Sequence, residues 1–169
     1  MQIEIRALRP EDRREDFECG EPLLDHFFRR YAGQNQFRHH IGTTYVAVDA
    51  SGMILGYVTV SMATLTREAI GSRSLPGYPL PVLRVARLAV QRAFHGLGIG
   101  RRLLGAMARL AIDQRDRLGC VGMVVDAKPD AVSFYEKFGF GILEEVDGQV
   151  YRDTTPMFLP VQTLEEAMN

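Results

Sequence analysis

A run of apolar residues and arginines, Val82-Leu83-Arg84-Val85-Ala86-Arg87-Leu88-Ala89-Val90, leads shortly into His95-Gly96-Leu97-Gly98-Ile99-Gly100-Arg101-Arg102-Leu103-Leu104. The first part reads as a strand and the second as three alternating glycines that open a helix. Alternating glycines remove side chains where the backbone must turn, and they let successive N–H groups converge on one point. The first turn of the helix adds unpaired N–H groups and the positive end of its dipole. Phosphate or pyrophosphate is the natural occupant of such a place.

Two better-known phosphate loops do not fit. A dinucleotide fingerprint has the spacing G-x-G-x-x-G in the first strand–helix unit, with an acid about 20 residues later. Here the spacing is G-x-G-x-G and it lies past mid-chain. No Gly-Lys-Ser/Thr follows, which excludes the triphosphate loop. On the loop alone, an ordinary strand–helix connection stays open.

A second segment carries further chemistry. Cys120-Val121-Gly122-Met123-Val124-Val125-Asp126 reads as a buried strand. Asp130-Ala131-Val132-Ser133-Phe134-Tyr135-Glu136-Lys137-Phe138-Gly139-Phe140 reads as a short helix, its glycine stop and the start of another strand. Together with the glycine loop, this pattern of L-A-V, G-x-G-x-G-x-x-L-L and A-x-x-F-Y-x-x-x-G-F resembles the GCN5-related N-acetyltransferase (GNAT) superfamily. The matching pieces span about 60 residues in the right order. The superfamily usually has Arg or Gln where this chain has His95, which removes one side-chain phosphate contact and leaves the backbone cradle.

The resemblance implies acetyl-coenzyme A as co-substrate and a GNAT fold, an α/β (α+β) arrangement with a mixed, mostly antiparallel central sheet. It implies that the backbone at Leu88, Ala89 and Val90 holds the pantetheine arm and acyl carbonyl. The pyrophosphate falls to His95, Gly96, Leu97, Gly98, Ile99, Gly100 and Arg101. Tyr135 matches the tyrosine general acid of the superfamily. A phenol titrating near ~10 stays protonated at neutral pH and can donate to a thiolate whose conjugate acid lies near ~8.5. On spacing alone, the favoured reading of Tyr135 is a core aromatic beside Phe134 and Phe138.

No general base stands out. Glu68, His95 and Asp126 are conceivable, but His95 belongs with the phosphate loop and Asp126 reads as a strand-end residue capping the next helix. An α-amino group with a pKa of ~7.7–8.0 needs little help from a base, whereas a lysine at ~10.4 needs much. The absence of a base therefore points to an α-amine or another weakly basic acceptor.

The N-terminal third narrows the resemblance. Phe17-Glu18-Cys19-Gly20-Glu21-Pro22-Leu23-Leu24-Asp25-His26-Phe27-Phe28, then Ala32-Gly33-Gln34-Asn35-Gln36, is similar to the opening of the GNAT toxins, as is the closing Pro156-Met157-Phe158-Leu159. That similarity implies acetylation of the α-amino group of aminoacyl-tRNA, a block on translation, and a ribbon–helix–helix antitoxin as protein partner. It also allows a homodimer. An N-acetyltransferase for a small-molecule amine or a protein N-terminus is the alternative within the same chemistry. A catalytically silent coenzyme-binding interaction module is the alternative outside it, against which the intact Tyr135 and glycines count.

Charge is distributed unevenly. The net charge is −1, yet residues 66–117 carry ten arginines against Glu68, Asp113 and Asp116, a local balance of +7. Residues 118–169 balance at −6. The cationic block overlaps the glycine loop, and Arg73, Arg84 and Arg92 are its candidates for tRNA phosphate contacts. Only Tyr78 and Phe94 interleave as aromatics, so backbone contact is expected rather than base stacking.

The elements that must position these groups follow from periodicity. Gln2 to Leu8 alternates as a strand. Pro22 starts a helix with Leu23, Leu24, Phe27, Phe28 and Tyr31 expected inward, and Asp25, Arg29 and Arg30 outward. Thr43 to Asp49 and Ile54 to Ala63 read as strands joined by the turn Asp49-Ala50-Ser51-Gly52. Gly71 to Pro81 reads as a loop. Leu103, Leu104, Met107, Leu110 and Ala111 form a buried helical stripe, and Val150 to Leu159 closes the sheet. The expectation is six or seven strands with about four helices, in a single N-acetyltransferase domain over 1–169. With 169 residues, 46% of them hydrophobic, there is material for one core. No run reaches the ~20 apolar residues of a membrane span, and no signal-peptide stretch opens the chain, so a cytoplasmic protein is expected. Cys19 and Cys120 form no metal-type pair with the four histidines, and two reduced thiols are expected.

Overall fold

The alternating segments of the first sixty residues pair as the alternation demands. In the computed structural model, which describes residues 1–144 and 153–168, β1 (Glu4–Ala7) runs antiparallel to β2 (Thr43–Val48), and β2 runs antiparallel to β3 (Ile54–Leu65). The β2–β3 turn is held by one side chain. The Asp49 carboxylate accepts from the Ser51 amide at 2.9 Å, the Ser51 hydroxyl at 2.7 Å and the Met53 amide at 3.0 Å. Such a short-range Asx turn, an Asp carboxylate bonding the amide two residues on, is what Asp at the head of a turn favours.

The chain divides into two units: residues 1–61 with 86–107, and residues 62–85 with 108–169. The first contains α1 (Pro22–Arg30) and α2 (Ala32–Phe37). Its core is aromatic: Phe28 stacks on Tyr57 with centroids 4.4 Å apart, and Phe17 meets Phe28 edge-on at 4.8 Å. The buried Tyr57 hydroxyl donates to the Leu24 carbonyl at 2.7 Å, as a buried phenol requires.

Helix α1 buries Phe27 and Phe28 and turns Arg29 and Arg30 outward as its stripe suggested, but three positions depart from it. Asp25 is buried at 4% exposure, while Leu23 is exposed at 81% and Tyr31 at 44%. A carboxylate goes inside only with a donor. Asp25 finds one in the Cys19 amide at 2.9 Å, so it fixes the chain that enters the helix.

The second part of the same unit holds the end of β4 (Leu80–Val90) and the first half of α4 (Ile99–Arg117). Ile99, Leu103, Leu104 and Met107 are buried there. Gly56 permits this packing, because a Cβ on it would stand 3.0 Å from the Ala89 carbonyl, 3.1 Å from Leu103 and 3.2 Å from Ile99. Farther along α4, Ala108 and Ala111 are buried, and Leu110 is only half-buried.

In the second unit, β4 pairs in parallel with β5 (Gly122–Ala127) through Leu83↔Met123, Arg84↔Val124 and Val85↔Val125. β7 (Thr155–Pro160) runs antiparallel to β5 and also takes the short β6 (Gly141–Ile142). The expected closing strand thus begins at Thr155; Val150 to Arg152 lie outside the described residues. Val82, Val124 and Phe158 form the buried centre of this unit. Three further helices belong here: α3 (Arg67–Ile70), α5 (Val132–Phe138) and α6 (Val161–Met168). The single turn Pro129–Ala131 lies in this unit, and the single turn Arg92–Phe94 in the first.

The strand order is β1-β2-β3-β4-β5-β7-β6, a mixed seven-stranded sheet with β4 in the middle. Six helices accompany it among the described residues where about four were expected, because α2, α3 and α6 are short or lack an apolar stripe legible in sequence. Cys19 and Cys120 are buried thiols. Burial, with the neighbouring Asp25 carboxylate, pushes the Cys19 thiol up to about 11.

Candidate active site

A central strand is normally covered along its length, and β4 is not. Ala86 is exposed, and Arg87, Leu88 and Val90 are only half-buried, whereas Val82, Leu83 and Val85 are buried. Leu88 and Val90 are therefore partly open to solvent just where the sequence placed an acyl group, while Ala89 between them is buried. Beyond them, the Gln91 amide donates to the Leu55 carbonyl at 2.8 Å and the Arg92 amide to the Glu18 carbonyl at 2.8 Å. These bonds anchor the entry to the glycine loop.

His95 completes that anchor. Its Nε2–H donates to the Val90 carbonyl at 2.7 Å, so the ring ties the loop back to the strand end. Gly96 and Gly98 then each take φ +80°, a left-handed conformation that costs an L side chain about 1–2 kcal/mol. A Cβ at either position would meet nothing within 4 Å, so conformation rather than space calls for glycine there.

Among the described residues, no turn or cap bond uses the backbone N–H groups from Gly96 to Arg101; the next, Arg102, donates to the Gly98 carbonyl at 3.1 Å. The consecutive amides open the nineteen-residue α4, whose dipole adds partial positive charge at the same end. No acid occurs between Glu68 and Asp113. This loop fits a diphosphate: donors, positive potential and no competing carboxylate in its stretch of chain.

Tyr135 sits on α5 in the second unit, 5% exposed, edge-on to Phe134 at 5.1 Å and to Phe140 at 5.4 Å. Burial raises its pKa above the ordinary phenol value. The hydroxyl therefore stays protonated across the neutral range, which suits a donor and not a base.

The base candidates fare differently. Glu68 lies on the exposed α3, where a hydrogen bond from its own backbone N–H and the Arg67 guanidinium at 3.3 Å hold its carboxyl below the usual range. A lowered pKa makes it a weaker base. Asp126 caps no helix. It lies within β5, exposed, and accepts from Arg84 Nη1 at 3.0 Å; the turn that follows starts after Lys128 without a side-chain cap. Strand β5 runs on through Ala127, one residue past Asp126, and the cross-strand cation claims the carboxylate.

That pairing bears on the cationic block. Arg84 is matched by Asp126 and Arg92 by Glu18 at 3.5 Å. Arg67, Arg115 and Arg117 likewise have carboxylate partners. Half of the ten arginines are thus locally compensated, while Arg73 stands exposed with no ion pair among the described residues. Sequence reasoning passed over Arg87, whose guanidinium carbon lies 3.7 Å above the centroid of the Phe27 ring. The strand alternation puts it on the face of the buried Ala89, but nothing local in the sequence singles out Phe27 as its neighbour. Among the described residues, no group of three His, Cys, Asp or Glu is gathered for a metal, and no helix is long and apolar enough to cross a membrane.

Comparison with known proteins agrees with this geometry. The acetyltransferase (GNAT) domain family model matches residues 40–142. A tRNA-acetylating toxin of Mycobacterium tuberculosis is 31% identical over 130 residues, covering 75% of this chain and 76% of that protein. Two solved structures superpose at lower identity. AtaT complexed with acetyl-methionyl-tRNAfMet gives a TM-score of 0.87 at 23% identity, covering 99% of this chain and 100% of that one. A tyrosine-to-phenylalanine mutant of the AtaT toxin, bound to the C-terminus of the antitoxin AtaR and acetyl-CoA, gives 0.81 at 22%, covering 99% and 98%. At these identities the structural likeness is one of fold.

Proposed function

The chain belongs to the GNAT acetyltransferase family, and on that premise we propose that it transfers an acetyl group from acetyl-coenzyme A to the α-amino group of aminoacyl-tRNA, blocking translation. The acetyltransferase activity is that of the family; the acceptor is our reading. The observation that carries the coenzyme assignment is the loop at the head of α4, with two left-handed glycines and a run of amides that make no turn or cap bond among the described residues. The acceptor rests on the 31% identical relative that acetylates tRNA.

In this reading, Gly96 to Arg101 hold the pyrophosphate through backbone amides, while the His95 amide is taken by the Arg92 carbonyl at 3.3 Å and its ring by Val90. The strand end at Leu88, Ala89 and Val90, half-buried at Leu88 and Val90 and buried at Ala89, orients the pantetheine arm. Bound there, the coenzyme supplies an activated thioester. Tyr135 keeps its phenolic proton and offers it to the departing thiolate. That a related toxin was solved with a tyrosine replaced by phenylalanine is in keeping with such a role. No strong base is required, because a neutral α-amine at pH ~7.5 is already well populated. We take residues 1–169 as one N-acetyltransferase domain, since the family match runs through segments of both units. A cytoplasmic location, a ribbon–helix–helix antitoxin and a homodimer belong to the same proposal; AtaT, with its antitoxin AtaR, supports the antitoxin part.

The compensation of Arg84 and Arg92 favours a second reading, because it shrinks the basic surface a nucleic acid needs. That reading is an N-acetyltransferase for a small-molecule amine or a protein N-terminus. Labelled acetyl-coenzyme A separates the two. The toxin labels charged tRNA, leaves deacylated tRNA unlabelled and arrests cell-free translation. Labelling of a polyamine or peptide while charged tRNA stays blank would overturn the tRNA reading.

A further inference from the structure

Arg87 is a half-buried cation that makes no ion pair among the described residues. Among the described residues no carboxylate lies within 4 Å of it and no protein oxygen accepts from its guanidinium. Arg84, three residues earlier on the same strand, is matched by Asp126 instead. One face of the Arg87 guanidinium is taken by Phe27 at 3.7 Å. Its nitrogens are reached by solvent, since no fully buried side-chain nitrogen among the described residues lacks a partner. A planar cation held flat on an aromatic ring, with its N–H edge open, is preorganised for two-point contact with an oxyanion. Partial desolvation without a counter-anion is costly, and an incoming anion relieves that cost.

Its place on the strand limits what that anion belongs to. At about 3.3 Å of rise per residue, Arg87 lies roughly 3–10 Å along β4 from Leu88, Ala89 and Val90, the segment assigned to the acyl group. For an acceptor amine poised there, Arg87 is placed to meet an anion several bonds removed from the nitrogen. In an aminoacyl-tRNA the amino-acid carboxylate is esterified and neutral, and the nearest formal negative charge is the 5′-phosphate of the terminal nucleotide. Building on the function proposed above, we propose that Arg87, seated on Phe27, is a phosphate-reading site for the terminal nucleotide of the acceptor. The same fixed cation disfavours free polyamines, whose remaining ammonium groups it repels.

The test uses two stable acceptors, a 3′-aminoacylamino-adenosine with a 5′-phosphate and the same compound without it, with free amino acid as a third arm. The full-length protein should acetylate the phosphorylated compound with a kcat/KM about tenfold or more above its partner, mostly through KM. Arg87→Met should level the two while keeping the melting shift given by acetyl-coenzyme A, and Arg87→Lys should retain part of the preference. A wild-type protein indifferent to the phosphate overturns the site. So does an Arg87→Met variant that loses both substrates equally, which would mark a structural role. A preference for the free amino acid that Arg87→Met abolishes would make it a carboxylate site and overturn it as well. Charged tRNA is assayed in parallel. If it is not acetylated but the phosphate preference appears, the tRNA reading falls and the Arg87 site stands; acetylated tRNA with an unchanged preference in Arg87→Met gives the reverse.

Discussion

The imidazole of His95 donates to the carbonyl of Val90 at 2.7 Å, joining the first residue of the glycine loop to the last residue of the central strand. A side chain that the sequence placed among the phosphate ligands thus spends its hydrogen bond on the protein's own backbone. The pyrophosphate is left to the amides.

Removing that tie should loosen the cradle. His95→Ala should raise the dissociation constant for coenzyme A by up to about tenfold, the worth of one net hydrogen bond of 0.5–1.5 kcal/mol. Calorimetric titration measures it, and an unchanged constant would reduce the contact to incidental geometry.

Gly98 tests the cradle itself. At 100-fold excess over Kd, acetyl-coenzyme A should stabilise the wild-type protein by about 2.7 kcal/mol, visible as a rise in Tm. Gly98→Val should remove that rise, because φ +80° suits no β-branched residue. Since a Cβ at Gly98 meets nothing, the variant should still fold.

Tyr135→Phe should leave coenzyme binding and folding nearly intact and lower turnover by about 10²–10⁴, the range for losing a general acid. The ring packing against Phe134 and Phe140 is preserved in the variant. Turnover within a few-fold of wild type would make Tyr135 a core aromatic only.

The tRNA surface should not weigh its arginines equally. Arg73→Glu should raise KM for charged tRNA more than it lowers kcat, and it should reduce the salt dependence by about one contact. Arg84→Ala should do less, because Asp126 already compensates Arg84. Equal effects at both positions would contradict that view of the Arg84–Asp126 pair.

The N-terminal segment should show a pH signature. Arg6 grips Asp12 with two bonds of 2.8 Å, and the Arg9 amide adds a third at 2.8 Å. The Arg6 hydrogen bonds hold the Asp12 carboxyl below its ordinary 3.8. A depressed folded value means the stabilisation is fully present above 3.8 and is lost as pH falls through the lower folded value. Asp12→Ala should therefore cost about 2 kcal/mol in urea unfolding at pH 7, with the gap to wild type shrinking as the pH drops below 3.8. A gap constant from pH 7 to pH 3 would refute the linkage.

What the sequence determined by itself lies where cause is local. The need for glycine at Gly96 and Gly98 is a property of each residue's own backbone, so the loop was readable without a fold. The alternation of Thr43 to Val48 and the Asp49 turn were readable for the same reason, since period and turn chemistry act over a few residues. Tertiary structure decided which side chains meet. Asp25 looked like an outward charge on α1 and went inside because the Cys19 amide, six residues away, offers it a donor. Asp126 was read as a cap, and Arg84, forty-two residues distant, took it instead. Arg87 lay in the motif without a role until Phe27 was found beneath it. Burial cost and ion pairing depend on neighbours across a sheet or from another helix, and no local pattern of residues records who those neighbours are.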